Sequence, residues 1–578
     1  MENWGPASAL GYQLVIDGPL PSIGTLIADV ETDECDIANF VGIAIIELGG
    51  LTVRYFSALS PELKEVLNRS RFIGHNVKAD LHWLNQWGCK ISSADITGDT
   101  MIAEYCRDTT GGSYGLKDLA KKHLGWEWTK YKDLVGKGKK KVTLDKQPVE
   151  VVARYCGTDC AATAELSKRR LDPVARRIYE QLEMPVYRAL FQMESTGATL
   201  DVPYLQELDK EFIDRRDTAL QSVRELVGKA DFNPASPVQV KKDLFTKLGI
   251  RADKTDVATL KAYVDKPAIK ALLDYREFSK LASTYTGPLL SGPTPGKVFA
   301  RFNQVSYDSG SEGSRGIRTG RLSSSDPNLQ NIPARTDTGK KVREAFIASP
   351  GNLLVVADYS QIELRVLAHY SGEKAFLDAF HAGRDVHAET AAMMFGGASF
   401  WTEEEQAKNR KIAKTINFGL LYGCGPKKLA YLTGETVERA KELLDSYWKN
   451  LPGIQRWISS VKAQAYVRNG TKTLMGRFIP LAGLKSSDMM ERWGAERQAV
   501  NYTIQGSAAE IMKLALIRLH ERGLKLIATV HDEFIVDTPV ESAKLTLASV
   551  KGIMENVVRL KVPLLVEAHT GKNWAEAK

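Results

Sequence analysis

Carboxylates at the ends of apolar runs are the residues here best placed for chemistry, because a strand end fixes a side chain while leaving it open to a ligand. Leu353-Leu354-Val355-Val356 is a short, charge-free run that predicts a buried strand, and it delivers Asp358. Residues 361–367 then predict the start of a helix. Asp358 alone is therefore open to two readings, an ion-holding carboxylate or a helix cap of the kind Asp favours. Much later, residues 524–530 and 534–536 are apolar runs on either side of His531-Asp532-Glu533. That pattern predicts a hairpin with Asp532 at its tip. Two such carboxylates suit a pair of divalent cations, the arrangement used for nucleotidyl and phosphoryl transfer.

A second acidic set lies near the start. Residues 23–30 predict a strand that runs into Asp29-Val30-Glu31, and two carboxylates two apart in an extended segment face the same side. Residues 41–48 continue the sheet. Phe72 through Asp80 leads into an apolar helix carrying Trp83 and Leu84. In Tyr155-Cys156-Gly157-Thr158-Asp159 a helical step of four puts Tyr155 beside Asp159. Asp29, Glu31, Asp80 and Asp159 together suit two metals, and a tyrosine hydroxyl suits the water that attacks a phosphodiester. Any one of them alone reads equally as a surface carboxylate.

Arg410, Lys414, Phe418 and Tyr422 recur every four residues, so on a helix they drift by about 40° per step and line one broad face. Two cations and two rings suit the phosphates and base of a nucleoside triphosphate. The same periodicity would also pack Phe418 and Tyr422 into a core. Gly419 and Gly423 allow close approach or bending. His387 reads as a third phosphate contact or as a structural histidine. Arg497, Asn501 and Gln505 again step by four, as contacts to a nucleic-acid strand or as satisfied buried amides. The loop 315–335 is polar and poor in regular structure, and from it Arg321 and Gln330 would reach nucleic acid.

The elements that must position these groups fit a multidomain chain. Its 578 residues predict about three to five domains, and 43% apolar residues supply ample core. No run of apolar residues is long enough for a membrane span, and the first residues lack a signal-peptide pattern. Six cysteines, of which only Cys156 and Cys160 are close, give neither a disulfide framework nor a zinc spacing. A reducing cytoplasm is expected, bacterial or phage-infected, with an organelle matrix as the other setting. The net charge of +8 is compatible with a polyanionic partner without requiring one. Residues 200–290 read as charged helices interrupted at 232–237. Lys241, Lys242, Lys247, Lys254, Lys261, Lys266 and Lys270 make this arm basic, suited to a duplex backbone or simply to solvent. The run Gly136–Lys141 reads as a solvated loop or a phosphate contact.

Asp358-Tyr359-Ser360-Gln361-Ile362-Glu363-Leu364-Arg365 resembles motif A of the family A DNA polymerases, the bacterial DNA polymerase I group. Arg410 through Gly423 resembles motif B, and His531-Asp532-Glu533 motif C. The acidic set near the start resembles the motifs of DnaQ-like 3′→5′ exonucleases. Thr319–Ser324, Gln330–Pro333 and Gly571–Trp574 add to the likeness, which runs from about residue 24 to the end. It implies an α/β and α+β multidomain fold, an RNase H-like exonuclease followed by a right-hand polymerase. The implied ranges are exonuclease 1–175, connection 176–200, thumb 201–290, palm 291–372 and 494–578, and fingers 373–493. It makes Asp358 and Asp532 metal-binding catalytic residues with Glu533 in support, and Lys414 the general acid. Arg410, Lys414 and His387 would contact the triphosphate, Phe418 the sugar, and Tyr422 the nascent pair, with Gln361 also at the nucleotide. Glu363 would be the steric gate against a ribose hydroxyl. Arg321, Gln330, Arg497, Asn501, Gln505 and His531 would contact DNA. Implied partners are primer-template DNA, dNTPs and two Mg²⁺ per site, with Mn²⁺ as a substitute. No processivity factor is identifiable.

An exonuclease fold beginning by about residue 24 implies that no 5′-nuclease domain precedes it, as in compact phage-type or organelle-type enzymes. The retained acidic residues imply active proofreading. A single-subunit RNA polymerase shares the palm chemistry, but Glu363 and the exonuclease motifs count against it. A non-catalytic nucleic-acid scaffold is the remaining alternative.

Overall fold

The computed structural model describes residues 4–33, 39–110, 112–136, 141–292, 294–305, 318–334, 336–396, 398–421 and 423–578. Tyr422 and the lysines of the 137–140 run lie outside them.

The first acidic set belongs to a mixed six-stranded sheet. Its order is Gln13–Ile16, Thr52–Phe56, Phe40–Glu47, Thr25–Thr32, Arg71–Gly74, Ile96–Asp99. Alternation along Thr25–Thr32 sends Leu26 and Ala28 into a core shared with the rest of the molecule, while Ile27 joins a separate core on the opposite face. Asp29 and Glu31 have the parity of Ile27. That face is covered by the helix Val149–Ser167, whose Val152, Ala153, Cys156 and Cys160 pack into the same core. The sheet thus turns both carboxylates toward the helix that carries Tyr155 and Asp159.

The segment expected to form a helical arm does so. Val202–Val227 and Pro267–Lys280 pack together over a small core including Val223, Phe232, Leu244, Ile269 and Leu272. Of the seven lysines of this arm, only Lys266 is partly covered, and Lys247 bonds the carbonyl of Val227.

The second sheet is antiparallel, in the order Leu526–Val530, Glu533–Pro539, Asn352–Tyr359, Val566–Gly571. The first two strands form the expected hairpin. His531 at its tip has a positive φ of 55°. Asn352–Tyr359 is central in this sheet, which explains its continuous apolar run: Leu354, Val355 and Ala357 are wholly buried. The helix Ile362–Ser371 follows, and its N-cap position is occupied by Gln361, with φ 55° and no side-chain cap bond. Asp358 lies inside the strand instead, so the capping alternative is excluded.

Val386–Phe395 packs against the 19-residue helix Glu403–Leu421. Met489–Glu521 is one helix of 33 residues. The boundary expected at 493/494 therefore falls inside a continuous helix, because the polar stretch before residue 508 holds helical periodicity without a breaker. Among the described residues no helix is long and apolar enough to cross a membrane. A buried ion cluster ties the segment 176–200 to this helix. Glu183, wholly buried, accepts from Lys513 Nζ at 2.8 and 2.9 Å and from Arg477.

Candidate active sites

The first acidic cluster is built from three elements. Asp29 and Glu31 come from their strand, Asp80 from the first turn of the helix Val77–Gln86, and Tyr155 and Asp159 from the helix Val149–Ser167. Burial and the charge of Asp159 hold the Asp29 carboxyl well above the ordinary carboxylate range. Burial, then Asp29, then Asp159 does the same to Glu31, and burial with Asp29 to Asp80. Asp159 is pushed up to about 6 by burial, restrained by Lys117 and by hydrogen bonds from Trp128 and Tyr155. Such mutual repulsion in a partly closed site is relieved by a divalent cation, and the oxygen donors suit a hard ion such as Mg²⁺ or Mn²⁺. Ligand atoms of Asp29, Glu31 and Cys156 all lie within 4.8 Å of one another. The Cys156 thiol donates to Asp29 Oδ2 at 3.4 Å, and burial holds its pKa well above the usual thiol value.

At the second sheet Asp358 pairs in register with Glu533, and the Tyr359 N–H donates to the Asp532 carbonyl at 3.1 Å. The strand and the hairpin tip thereby set Asp358 beside Asp532. Burial raises the pKa of Asp358. It pushes Asp532 up to about 6, with Arg321 opposing and Glu363 and Asp358 reinforcing. This pair likewise fits a hard cation. Glu533 is set apart from them: it is 1% exposed and accepts from Trp574 Nε1 at 2.7 Å and from Lys578, whose Nζ also lies 3.4 Å from Asp358 Oδ2. Arg343 stacks on the Trp574 ring at 4.0 Å.

Arg321, Gln330, His531 and Asp532 line one cleft. Arg321 also bonds Glu363 in the first turn of Ile362–Ser371, so the expected sugar gate is held by an expected DNA contact. Gln330 lies 3.5 Å from the Thr529 carbonyl. Arg410, Lys414 and Phe418 share the helix Glu403–Leu421, with Lys414 exposed. Arg410 is tied to Asp385 by two bonds of 2.9 and 2.6 Å, and Asp385 also caps the next helix. His387 departs from the expectation of an open phosphate contact. It is 1% exposed, sits 3.0 Å from Asn417 Nδ2, and is held neutral by burial, its pKa lowered to about 4. The reason is packing: its ring lies 5.6 Å from that of Phe418 between two helices. Arg497, Asn501 and Gln505 occupy successive turns of the long helix.

Three side chains were missed from sequence, Lys117 and Trp128 in the first acidic cluster and Lys578 beside Asp358, and Trp574 was marked only by the C-terminal likeness, not as a partner of Glu533. None stands at a telling spacing from an acidic residue. Only the folded chain brings them in.

Comparison with known proteins follows the same division. The family model described as DNA polymerase family A matches residues 202–576, and that described as 3′-5′ exonuclease matches residues 25–171. DNA polymerase I of Chloroflexus aurantiacus is 36% identical over 531 residues, which covers 87% of this chain and 54% of that protein. DNA polymerase I of Pseudomonas aeruginosa is 34% identical over 543 residues, 90% of this chain and 58% of its own length. The chain thus spans little more than half of these relatives. Among solved structures, the POL domain of Pol1 from M. smegmatis, in complex with DNA primer-template and dNTP, is similar with a TM-score of 0.79 and 30% identity, covering 96% of both chains.

Proposed function

Because this chain belongs to DNA polymerase family A, we propose that it extends a primer 3′ end with dNTPs on a DNA template and proofreads with a separate 3′→5′ exonuclease site during replication. The observation that carries this reading is the placement of Asp358, on its strand, beside Asp532 at the tip of the paired hairpin, where Asp532 lines a cleft with Arg321, Gln330 and His531.

Domains of both kinds are metal-dependent in general. In the proposed assignment Asp358 and Asp532 hold two Mg²⁺ for transfer, and Asp29, Glu31, Asp80 and Asp159 hold two for hydrolysis. The bound ions supply positive charge to the ionised primer oxygen, the attacked phosphorus and the departing pyrophosphate. Lys414 is the general acid, Arg410 holds phosphate, Phe418 meets the sugar and Tyr422 the nascent pair. Glu363, held by Arg321, excludes a 2′-hydroxyl. Arg497, Asn501, Gln505, Gln330 and His531 follow the primer-template, and Tyr155 orients the hydrolytic water. His387 supports Phe418 in this state rather than binding phosphate. The arm 201–290 acts as thumb, 373–493 as fingers, and the second sheet as palm, with the fingers–palm junction inside the long helix.

The test is primer extension and degradation on matched and mismatched termini, with and without Mg²⁺. Template-directed dNTP addition and preferential removal of mismatches are expected. Equal use of rNTPs would move the assignment to an RNA polymerase. DNA binding without extension would move it to a scaffold.

A further inference from the structure

Lys117 stands inside the hydrolytic cluster although nothing in its sequence neighbourhood marks it. It lies in the first turn of the helix Leu116–Leu124. Its Nζ is 3.9 Å from Asp159 Oδ2, 3.9 Å from the centre of the Tyr155 ring and 5.4 Å from that of Trp128. Trp128 takes the other oxygen of Asp159, donating its indole N–H at 2.8 Å. One cation and one indole thus hold both oxygens of a single carboxylate, while the same cation covers the face of the adjacent tyrosine. The contact is not an exposed ion pair, since the Lys117 and Asp159 side chains are 24% and 9% exposed. The helix carrying Lys117 is anchored by buried Leu119 and Ala120 and packs on Val149–Ser167. The lysine therefore has a fixed base and little freedom to swing away.

We propose that Lys117 is a positioning residue of the exonuclease: clamped between Asp159 and the Tyr155 ring, it sets where the carboxylate and the phenol stand when a DNA 3′ end enters. The inference rests on the exonuclease reading given above. Cation–ring attraction and a Coulombic contact act on the same ammonium, so both partners lose their orientation when it is removed. The charge has an opposite consequence for metal binding. A cation already among Asp29, Glu31 and Asp159 repels a second one, so Lys117 weakens metal affinity while it fixes geometry. Its removal therefore moves two observables in opposite directions, which general damage to the fold does not do.

The experiment uses the full chain and a single-stranded DNA oligonucleotide degraded across a Mg²⁺ titration, with extension of a matched primer as internal control. For Lys117→Met the degradation kcat falls roughly 10- to 100-fold, the scale for groups that orient metal ligands. KM for DNA changes little, half-saturating Mg²⁺ falls about fivefold, and calorimetric titration of the metal-free protein with Mg²⁺ in the absence of DNA shows the same tightening, the effect of one nearby charge. Lys117→Arg restores most of kcat, because its guanidinium keeps the charge and stacks on rings. A wild-type kcat in Lys117→Met overturns the proposal. So does a raised KM with unchanged kcat, which makes Lys117 a backbone contact, and so does an unchanged or raised Mg²⁺ requirement. If Lys117→Met loses extension as well, Lys117→Arg decides: recovered degradation supports the proposal, and its absence overturns it. Asp29→Ala with Glu31→Ala is run alongside. Persistent degradation in that variant defeats the exonuclease reading itself, whatever Lys117 does.

Discussion

The two carboxylate sites hold their negative charge in different ways. At the first cluster, four acidic side chains converge from three elements, and Asp29, Glu31 and Asp80 all have their pKa raised well above the ordinary range by burial and by neighbouring carboxylates. The nearby cation, Lys117, comes from a rigid helix between the strands and the tyrosine helix. At the hairpin, Asp532 lines the cleft and Asp358 is part-exposed beside it, while Glu533 is withdrawn into bonds with Trp574 and Lys578. There the cation comes from the final residues of the chain, and its side chain is 40% exposed. On the proposed function, a site acting on one strand end tolerates a closed cluster, whereas one admitting a primer end, a template and a triphosphate has the more open border.

The largest effects separate the sites. Asp532→Ala is expected to lower primer extension about 10³-fold, the scale of losing a group that stabilises transition-state charge, while leaving degradation intact. Asp29→Ala with Glu31→Ala is expected to do the reverse. Gel assays on one labelled primer read both, and joint loss in either variant would dissolve the distinction between two sites.

A smaller effect tests whether Glu533 is an anchor rather than an open ligand. Trp574→Phe keeps the ring over Arg343 but removes the N–H that satisfies a buried oxygen. A loss of about 1–3 kcal/mol in unfolding free energy is expected from an unsatisfied buried acceptor. Thermal or urea unfolding reads it, and an unchanged stability would show that Glu533 rearranges freely.

The pH dependence of the metal-free protein sharpens the comparison further. Folded Asp159 and Asp532 both titrate at about 6, above the range of an unfolded chain. A raised acid stabilises the fold through its bound proton, fully at pH below the unfolded value, and this contribution is lost as pH rises through about 6. In EDTA the melting temperature is therefore expected to fall by a few degrees between pH 5 and pH 7.5. The greater loss is expected in the N-terminal unit, whose other three carboxylates are raised as well. Mg²⁺ should reverse the trend, because it binds the ionised form. Equal losses in both units, followed by hydrogen exchange, would remove the proposed contrast in charge crowding.

Both acidic sets were legible in the sequence because each rests on a local pattern. The run 353–356 announced its strand, the two runs around 531–533 announced the hairpin, and the parity of Asp29 and Glu31 gave their common face. The capping question at Asp358 needed the fold, since only the pairing of Asp358 with Glu533 shows how far the strand continues. His387 read either as a phosphate contact or as a structural histidine, because nothing local reveals that Phe418 and Asn417 would close around it. The division expected at 493/494 falls inside one helix, whose periodicity runs straight through it. Lys117, Trp128 and Lys578 were invisible, and Trp574 was marked only by the C-terminal likeness, for the same physical reason: their partners are tertiary, and no spacing along the chain encodes them.

Lys578 offers the smallest and most selective break. Its Nζ, 3.4 Å from Asp358 Oδ2 and bonded to Glu533, is a counter-charge at the rim of the transfer site. Unlike Lys117, it covers no catalytic ring, and Trp574 holds Glu533 from the other side, so its removal frees charge without releasing a scaffold. One unit charge about 4 Å away in water is worth about 1 kcal/mol, or about fivefold in an equilibrium. Lys578→Met is therefore expected to lower the Mg²⁺ needed for half-maximal extension about fivefold, leaving the Mg²⁺ dependence of degradation unchanged. Raised ionic strength should shrink the difference, because the contact is open to solvent. A shift in both activities would mean that the effect travels through the fold, and a fall in extension at saturating Mg²⁺ would make Lys578 a positioning group like Lys117.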